Sequence, residues 1–310
     1  MNYERSNHPV AIVVLLVLAT IAGTVAIASI WANQQLLSTG SWVSVSGRML
    51  ESKDVRHRVA EFLGEELTAG TEAQLDAAGE EGTAALVGAR LRARQTELAE
   101  GVMKTKQFKA IWANANRVGH RALLRVLDEE AGSGEAVVVN LTPALRQLAV
   151  VLEEEGLAEE LGVADLAGFV EPGAARIQVL EARELNAAQD AVRVVRHLTA
   201  PAVIVALALY GVALFLGRRR LSRTFLGIGL AFAATGALAL LLRAFAGNRI
   251  IDELIAGDTD REAAEAAWRI ATSKIADLAG VAIGLGAVVV LLVGAAAVLR
   301  VMMRSTAAAR

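Results

Sequence analysis

Three side chains that could recognise or react stand four residues apart: Trp112, Asn116 and His120. On an α-helix this spacing stacks them along one face. An imidazole that titrates near neutrality, a primary amide and an indole N–H could form a polar recognition site there. They could equally form a hydrogen-bonded knot that fixes how the helix packs. Asn116 falls inside the apolar stripe of its helix, and a buried amide must find partners, so the knot is the favoured reading. For His120 to serve a hydrolase it would have to face a cleft with a carboxylate in hydrogen-bond reach.

The other candidates are weaker. His8, His57 and His197 have no second histidine or carboxylate at a zinc-ligand spacing. Glu153, Glu154, Glu155, Glu159 and Glu160 form an acidic cluster, but it lacks the Asp/Asn spacing and glycine of an EF-hand loop. It reads as a solvated helix end. No nucleophile elbow, Walker loop or zinc-protease motif occurs. Asn140-Leu141-Thr142 matches a glycosylation acceptor, yet Thr142 before Pro143 is better explained as a helix start. The expectation is a protein that is not an enzyme, with no catalytic residue, cofactor or metal. With no cysteine, any domain outside the cytoplasm must be held by its own core rather than by disulfides.

Four uncharged apolar runs organise the rest: residues 10–31, 199–217, 224–242 and 279–299. A bilayer core of roughly 30 Å takes about 20 residues of helix, and without water the backbone must bond to itself. The chain therefore reads as a four-span membrane protein. Residues 32–198 and 243–278 lie between spans on one side; residues 1–9, 218–223 and 300–310 lie on the other.

Arginine sets the orientation. The loop 218–223 holds Arg218, Arg219, Arg220 and Arg223 with no acid, and the last segment holds Arg300, Arg304 and Arg310 with none. The segment 32–198 carries 18 basic and 25 acidic residues. Both termini and the short loop thus read as cytoplasmic and the two acidic segments as extracytoplasmic, in a bacterial plasma membrane. Richness in Ala, Val, Leu, Gly and Arg with little Lys suggests a high-GC bacterial gene. The acidic outer face excludes nucleic acid as a partner by bulk electrostatics. Ala26-Ile27-Ala28 fits a signal-peptidase site, so cleavage after the first run is the alternative to an anchor. The length of the run, and Trp31 at the place of an interfacial aromatic, favour the anchor.

The outer segment carries helical periodicity. Val55, Val59, Phe62 and Leu63 make one stripe, capped by Ser52 and ended near Gly70; residues 71–82 read as a loop. Ala84, Val87, Leu91, Leu98 and Val102 make a second stripe. Residues 106–129 give the strongest helix, with Phe108, Ile111, Trp112, Ala115, Gly119, Ala122, Leu123 and Val126 on its apolar face. Leu145, Leu148, Ala149 and Leu152 face inward on the next helix, stopped by Gly156. Residues 136–141 and 177–180 are short strand candidates for a two-stranded ribbon. A helix from Glu184 runs toward the second span, where Pro201 would kink or restart it. Thr259 and Glu262 have capping-box spacing, opening a helix that could continue into the fourth span. The fold class expected is mainly α: four transmembrane helices with a helical extracytoplasmic domain.

Small residues recur in the last spans. Gly280 with Gly284, Ala282 with Gly286, and Gly229 with Ala233 and Ala237 have the spacing that lets helices approach closely in lipid. This fits packing within one chain and packing between two equally well. No charge lies inside any span, which disfavours a proton-coupled pump.

Trp31-Ala32-Asn33 with Leu36, Phe108-x-x-x-Trp112-x-x-x-Asn116-Arg117-x-x-His120 with Leu123-Leu124, Asn140-Leu141-Thr142-Pro143, and Arg218-Arg219-Arg220 through Gly227-Ile228-Gly229 form an ordered set. In these the chain resembles a group of uncharacterised actinobacterial four-span integral membrane proteins. The resemblance implies the same order of anchor, outer helical domain and three later spans; it implies no activity. The partners expected are the lipid bilayer and another envelope or membrane protein. The functional expectation is a binding or scaffolding role at the envelope, with a transporter or transporter subunit for a lipid or small solute as the alternative.

Overall fold

The computed structural model describes residues 9–79, 81–128, 137–140, 142–154, 156, 159, 165–171, 173–174, 176–180, 182–255 and 258–308. It is mainly helical. The chain divides into two compact units: Met1–Gln34, Arg193–Arg249 and Thr272–Arg310 form one, and Gln35–Val192 with Ile250–Ala271 form the other.

The first unit holds four helices long and apolar enough to cross a membrane, and the protein is a multi-pass membrane protein. They are α1 (Pro9–Trp31) and the membrane-entering stretches of α7 (Ala182–Leu216), α8 (Leu221–Leu254) and α10 (Ser273–Ala308). Large apolar side chains face outward on all four: Val13 is 60 % exposed, Leu207 62 %, Leu241 67 % and Leu291 70 %. In water this surface would be untenable; in lipid it is the solvent-matched face.

The inward faces are small and hydroxylated. Thr20 and Thr24 donate to the Leu16 and Thr20 carbonyls one turn back, each at 2.9 Å, and approach the Ala231 and Thr235 carbonyls of α8 at 3.4 Å. Ile27 packs with Ala239, Ile275, Ala279 and Ala282. Tyr210 of α7 stacks on Phe232 of α8, centroids 4.7 Å apart.

The α8–α10 seam corrects two expectations. A Cβ added at Gly286 would lie 2.5 Å from the Gly229 carbonyl oxygen and 2.7 Å from the Ala233 amide nitrogen. Gly286, Ala282 and Ala279 therefore belong to the seam. Gly280 and Gly284 do not, because an added Cβ there meets nothing within 4 Å among the described residues. On α8 the third small residue of the seam is the buried Gly236, whose added Cβ would strike the Ala279 carbonyl, and Ala237 is exposed. Glycines recur on two faces of α10, and only the partner helix decides which of them is used.

Two helix boundaries also differ from expectation. Pro201 lies inside α7, which runs through it without restarting. An apolar stretch has no other place to satisfy its backbone. The helix α9 (Asp258–Ala271) stops before α10 rather than merging with it. The break falls at Thr272, fully buried, whose hydroxyl accepts from Arg243 Nε at 2.7 Å. The Thr259 side chain lies outside the described residues.

The second unit is built on a helical hairpin, α3 (Lys53–Ala77) and α4 (Glu81–Met103). Here the expected loop 71–82 is wrong. The stripe Leu63–Leu67 continues at the same four-residue step through buried Thr71 and Leu75, so α3 runs past Gly70 to Ala77. Thr71 hides its hydroxyl on the Leu67 carbonyl at 2.8 Å, which makes a polar residue serviceable in a core. The true stop is Gly79, at φ +80°, a conformation costly for any residue with a Cβ. Ser52 is the residue before α3 but makes no side-chain cap bond.

Ala84, Val87, Leu91 and Val102 of α4 are buried against α3 in one core with Leu50, Phe108, Leu145, Leu148, Ala149 and Leu166. The Leu98 and Leu152 side chains lie outside the described residues. Fully burying each such leucine is worth roughly 1.5–3 kcal/mol. Around this core stand α2 (Thr39–Glu51), α5 (Lys106–Asp128), α6 (Thr142–Glu154) and α9. Residues 250–271 thus belong to the helical unit, where Asp260 of α9 pairs with Arg58 of α3. Val137–Asn140 and Arg176–Leu180 pair antiparallel, with only their backbone described.

Candidate functional site

The start of α5 is fixed first. Thr105, just before it, accepts from the Phe108 amide at 3.2 Å and donates to the Val102 carbonyl at 2.7 Å. This is an N-cap arrangement, and it seats Phe108 in the core. The three candidate residues then rise along successive turns. Trp112 Nε1–H donates to the Ser46 carbonyl of α2 at 3.1 Å. Asn116 Nδ2–H donates to the Trp112 carbonyl of its own helix at 3.0 Å, so Asn116 ties down no second element among its described bonds.

His120 is 3 % exposed. Its Nε2 lies 2.8 Å from the Leu36 carbonyl and its Nδ1 lies 3.1 Å from Thr39 Oγ1. A carbonyl can only accept, so the geometry assigns the proton to Nε2. In the neutral ring Nδ1 then accepts from the Thr39 hydroxyl. Trp42 stacks on the imidazole, centroids 5.2 Å apart. Trp112 meets Ser46 while His120 meets Thr39, so α5 and α2 run antiparallel and are clamped at two points. Both ring nitrogens of His120 are spent on this clamp. What the arrangement does chemically is hold helices together.

The clamp has a pH signature. Burial pushes the His120 pKa below its ordinary range, only partly opposed by the hydrogen bond to Leu36. The folded protein thus prefers the neutral ring. Stability from this site is fully present above the unfolded pKa of about 6.5 and falls as pH drops below it, because the unfolded chain takes up the proton first. We expect the melting temperature to fall between pH 7.5 and pH 5, and to fall less in His120→Gln. Parallel melting curves of the two proteins at each pH check this; equal slopes would refute it.

A second polar cluster was not legible in the sequence. His57 Nδ1 lies 2.8 Å from Glu100 Oε1 on α4, and Nε2 lies 3.3 Å from Glu61 on α3. Arg58 spans Glu61 at 3.7 Å and Asp260. The two carboxylates meet different nitrogens of the one ring. Among the described residues no group of His, Asp and Glu is placed to hold a metal ion. In the acidic cluster Glu153 accepts from the Ala167 amide at 2.8 Å, a structural use; Glu155 and Glu160 lie outside the described residues, as does His8.

A cavity of about 140 Å³ opens between α3, α6 and residues 169–171, lined by Leu67, Gly70, Leu145, Phe169 and two acids, Glu66 and Glu171. That is below the roughly 300–1,000 Å³ of a site for a drug-sized ligand.

Comparison with family models, with curated proteins and with solved structures finds no match. The reading of function therefore stands on the chain's own chemistry.

Proposed function

We propose that this chain binds or scaffolds partners at the envelope of a bacterial plasma membrane, acting through an extracytoplasmic helical domain and without catalysis of its own. The observation that carries the reading is the second unit's self-contained core. A body built round Phe108, Leu63, Leu67, Leu91 and Leu148 is held by its own apolar core without a disulfide. Its strongest candidate group, His120, is consumed in packing. The connection 218–223, by contrast, is six residues of one turn and the entry to α8, too short for an output domain. The arginines there and at Arg300 favour a cytoplasmic side for that connection and for both termini.

Transport of a lipid or small solute is the second reading. The close contact of backbones at Gly229 and Gly286 weighs against it, because a path through that seam would have to separate helices that already touch.

The absence of native cysteine makes the test direct. Lys104→Cys lies exposed in the turn between α4 and α5, and Ser222→Cys lies in the arginine connection. A membrane-impermeant maleimide carrying a photo-crosslinker should label Lys104→Cys in intact cells, and should label Ser222→Cys only after lysis. The reverse pattern overturns the orientation. A partner captured from Lys104→Cys and from neighbouring outer positions supports scaffolding. Labelling with no capture at any of them shifts the weight to solute or lipid handling.

A further inference from the structure

The turn Arg218–Arg220, the entry to α8 and the distal end of α10 bring Arg218, Arg219, Arg220, Arg223 and Arg300 around one open concavity of about 540 Å³. All five belong to the membrane-helix unit. Four come from one tight connection, but Arg300 arrives from a different helix, so the gathering is a product of the fold and not of one basic run.

Nothing among the described residues neutralises it. No Asp or Glu occurs in residues 191–251 or 278–310, and none of the five arginines makes an ion pair among the described residues. Arg218 lies over the Phe215 ring at 4.7 Å, which holds one guanidinium in place without cancelling its charge. Thr224 knots the turn by reaching the Gly217 carbonyl at 3.2 Å and the Arg220 carbonyl at 3.3 Å. The helix α8 opens at the cup with no acid in its first turn, so its positive end adds to the field. Five guanidinium groups gathered with no counter-charge among the described residues call for an anion from outside, and their planar forks suit phosphate oxygens.

The surroundings decide which source of phosphate is favoured. Exposed apolar residues flank the arginines directly: Phe215 at 63 %, Leu221 at 48 % and Leu299 at 58 %. A ligand with a charged head and an apolar tail satisfies both surfaces; a free ion satisfies one. We propose that this cup is a phosphate site filled by the headgroup of an anionic phospholipid. Basic pockets at the ends of membrane helices have the right physics for this. The inference is independent of what the outer domain binds.

The test uses the full chain, delipidated in detergent at about 0.15 M salt so that diffuse attraction is screened. The probes are short-chain phosphatidylglycerol, short-chain phosphatidylcholine and inorganic phosphate, and bound molecules are counted by native mass spectrometry. Phosphatidylglycerol should bind more tightly than phosphatidylcholine. Each arginine removed should weaken it about fivefold, so Arg300→Gln alone gives a small loss and R219Q/R220Q/R300Q roughly a hundredfold one. R121Q/R125Q, which neutralises two exposed arginines of α5, should leave the preference intact. The arginines replaced in the cup are exposed, so melting temperatures should not move, and Arg300→Gln remains informative if the triple variant fails to fold. If the cup variants keep the full preference, or if neither anionic probe is preferred over phosphatidylcholine, the cup is not a phosphate site. If inorganic phosphate binds the parent and not the triple variant while phosphatidylglycerol shows no preference, the lipid assignment is overturned in favour of a soluble anion.

Discussion

Phe108→Ala is expected to destabilise the helical unit by about 3–5 kcal/mol, the usual cost of emptying a buried aromatic site. Phe108 is fully buried, and it sits where three constraints meet. Its amide is the group capped by Thr105, its ring joins the core shared by α3, α4 and α6, and it starts the helix whose later turns carry Trp112 and His120. Leu63 and Leu91 are each locked in the α3–α4 hairpin, and Leu145 and Leu148 are held by α6. For a unit of this size the loss corresponds to roughly 6–20 °C in melting temperature. Val118→Ala is the matched control: same helix, 59 % exposed, and expected within about 0.5 kcal/mol of the parent. Thermal melting of the full chain, read alongside limited proteolysis, checks both. If the two variants melt together, the core around Phe108 does not hold the unit.

What could be read from residue types depended on whether the signal was local. The spans were legible because an uncharged run in lipid has only one solution. The helix α5 was legible because its stripe repeats through Phe108, Ile111, Trp112 and Ala115. The end of α3 was not: beyond Gly70 the stripe is carried by Thr71, a polar residue, and by one leucine, Leu75. The spacing of Trp112, Asn116 and His120 suggested a shared face and a choice between pocket and knot. The groups that decide the use of His120, the Leu36 carbonyl and Thr39, lie more than 80 residues upstream. The His57–Glu100 contact, 43 residues apart, is hidden for the same reason. In sequence the arginines of 218–223 carry only an orientation signal, because the approach of Arg300 is a tertiary fact.

Gly286→Leu is expected to break the membrane bundle where Gly284→Leu leaves it intact. The two glycines are two positions apart on one helix, so propensity and hydropathy change equally in both variants. What differs is the neighbour. At Gly286 the new Cβ would meet backbone atoms, 2.5 Å from the Gly229 oxygen and 2.7 Å from the Ala233 nitrogen. Backbone cannot step aside as a rotamer can, so α10 must withdraw from α8, and overpacking of this kind costs roughly 1–3 kcal/mol. The withdrawal also strips contact from Gly236 against Ala279 and from Ala282 in the same seam, where close packing is the main force holding helices together in lipid. At Gly284 an added Cβ meets no described atom of another element within 4 Å. Leucine there replaces a poor helix former with a good one, worth up to about 1 kcal/mol in favour of the helix. The two substitutions should therefore move the melting temperature in detergent in opposite directions. Should Gly284→Leu prove as damaging as Gly286→Leu, its face must be covered by something other than lipid. Since the described residues leave that face open, the covering surface would be a second copy or a partner helix, and crosslinking from Gly280→Cys would then show which.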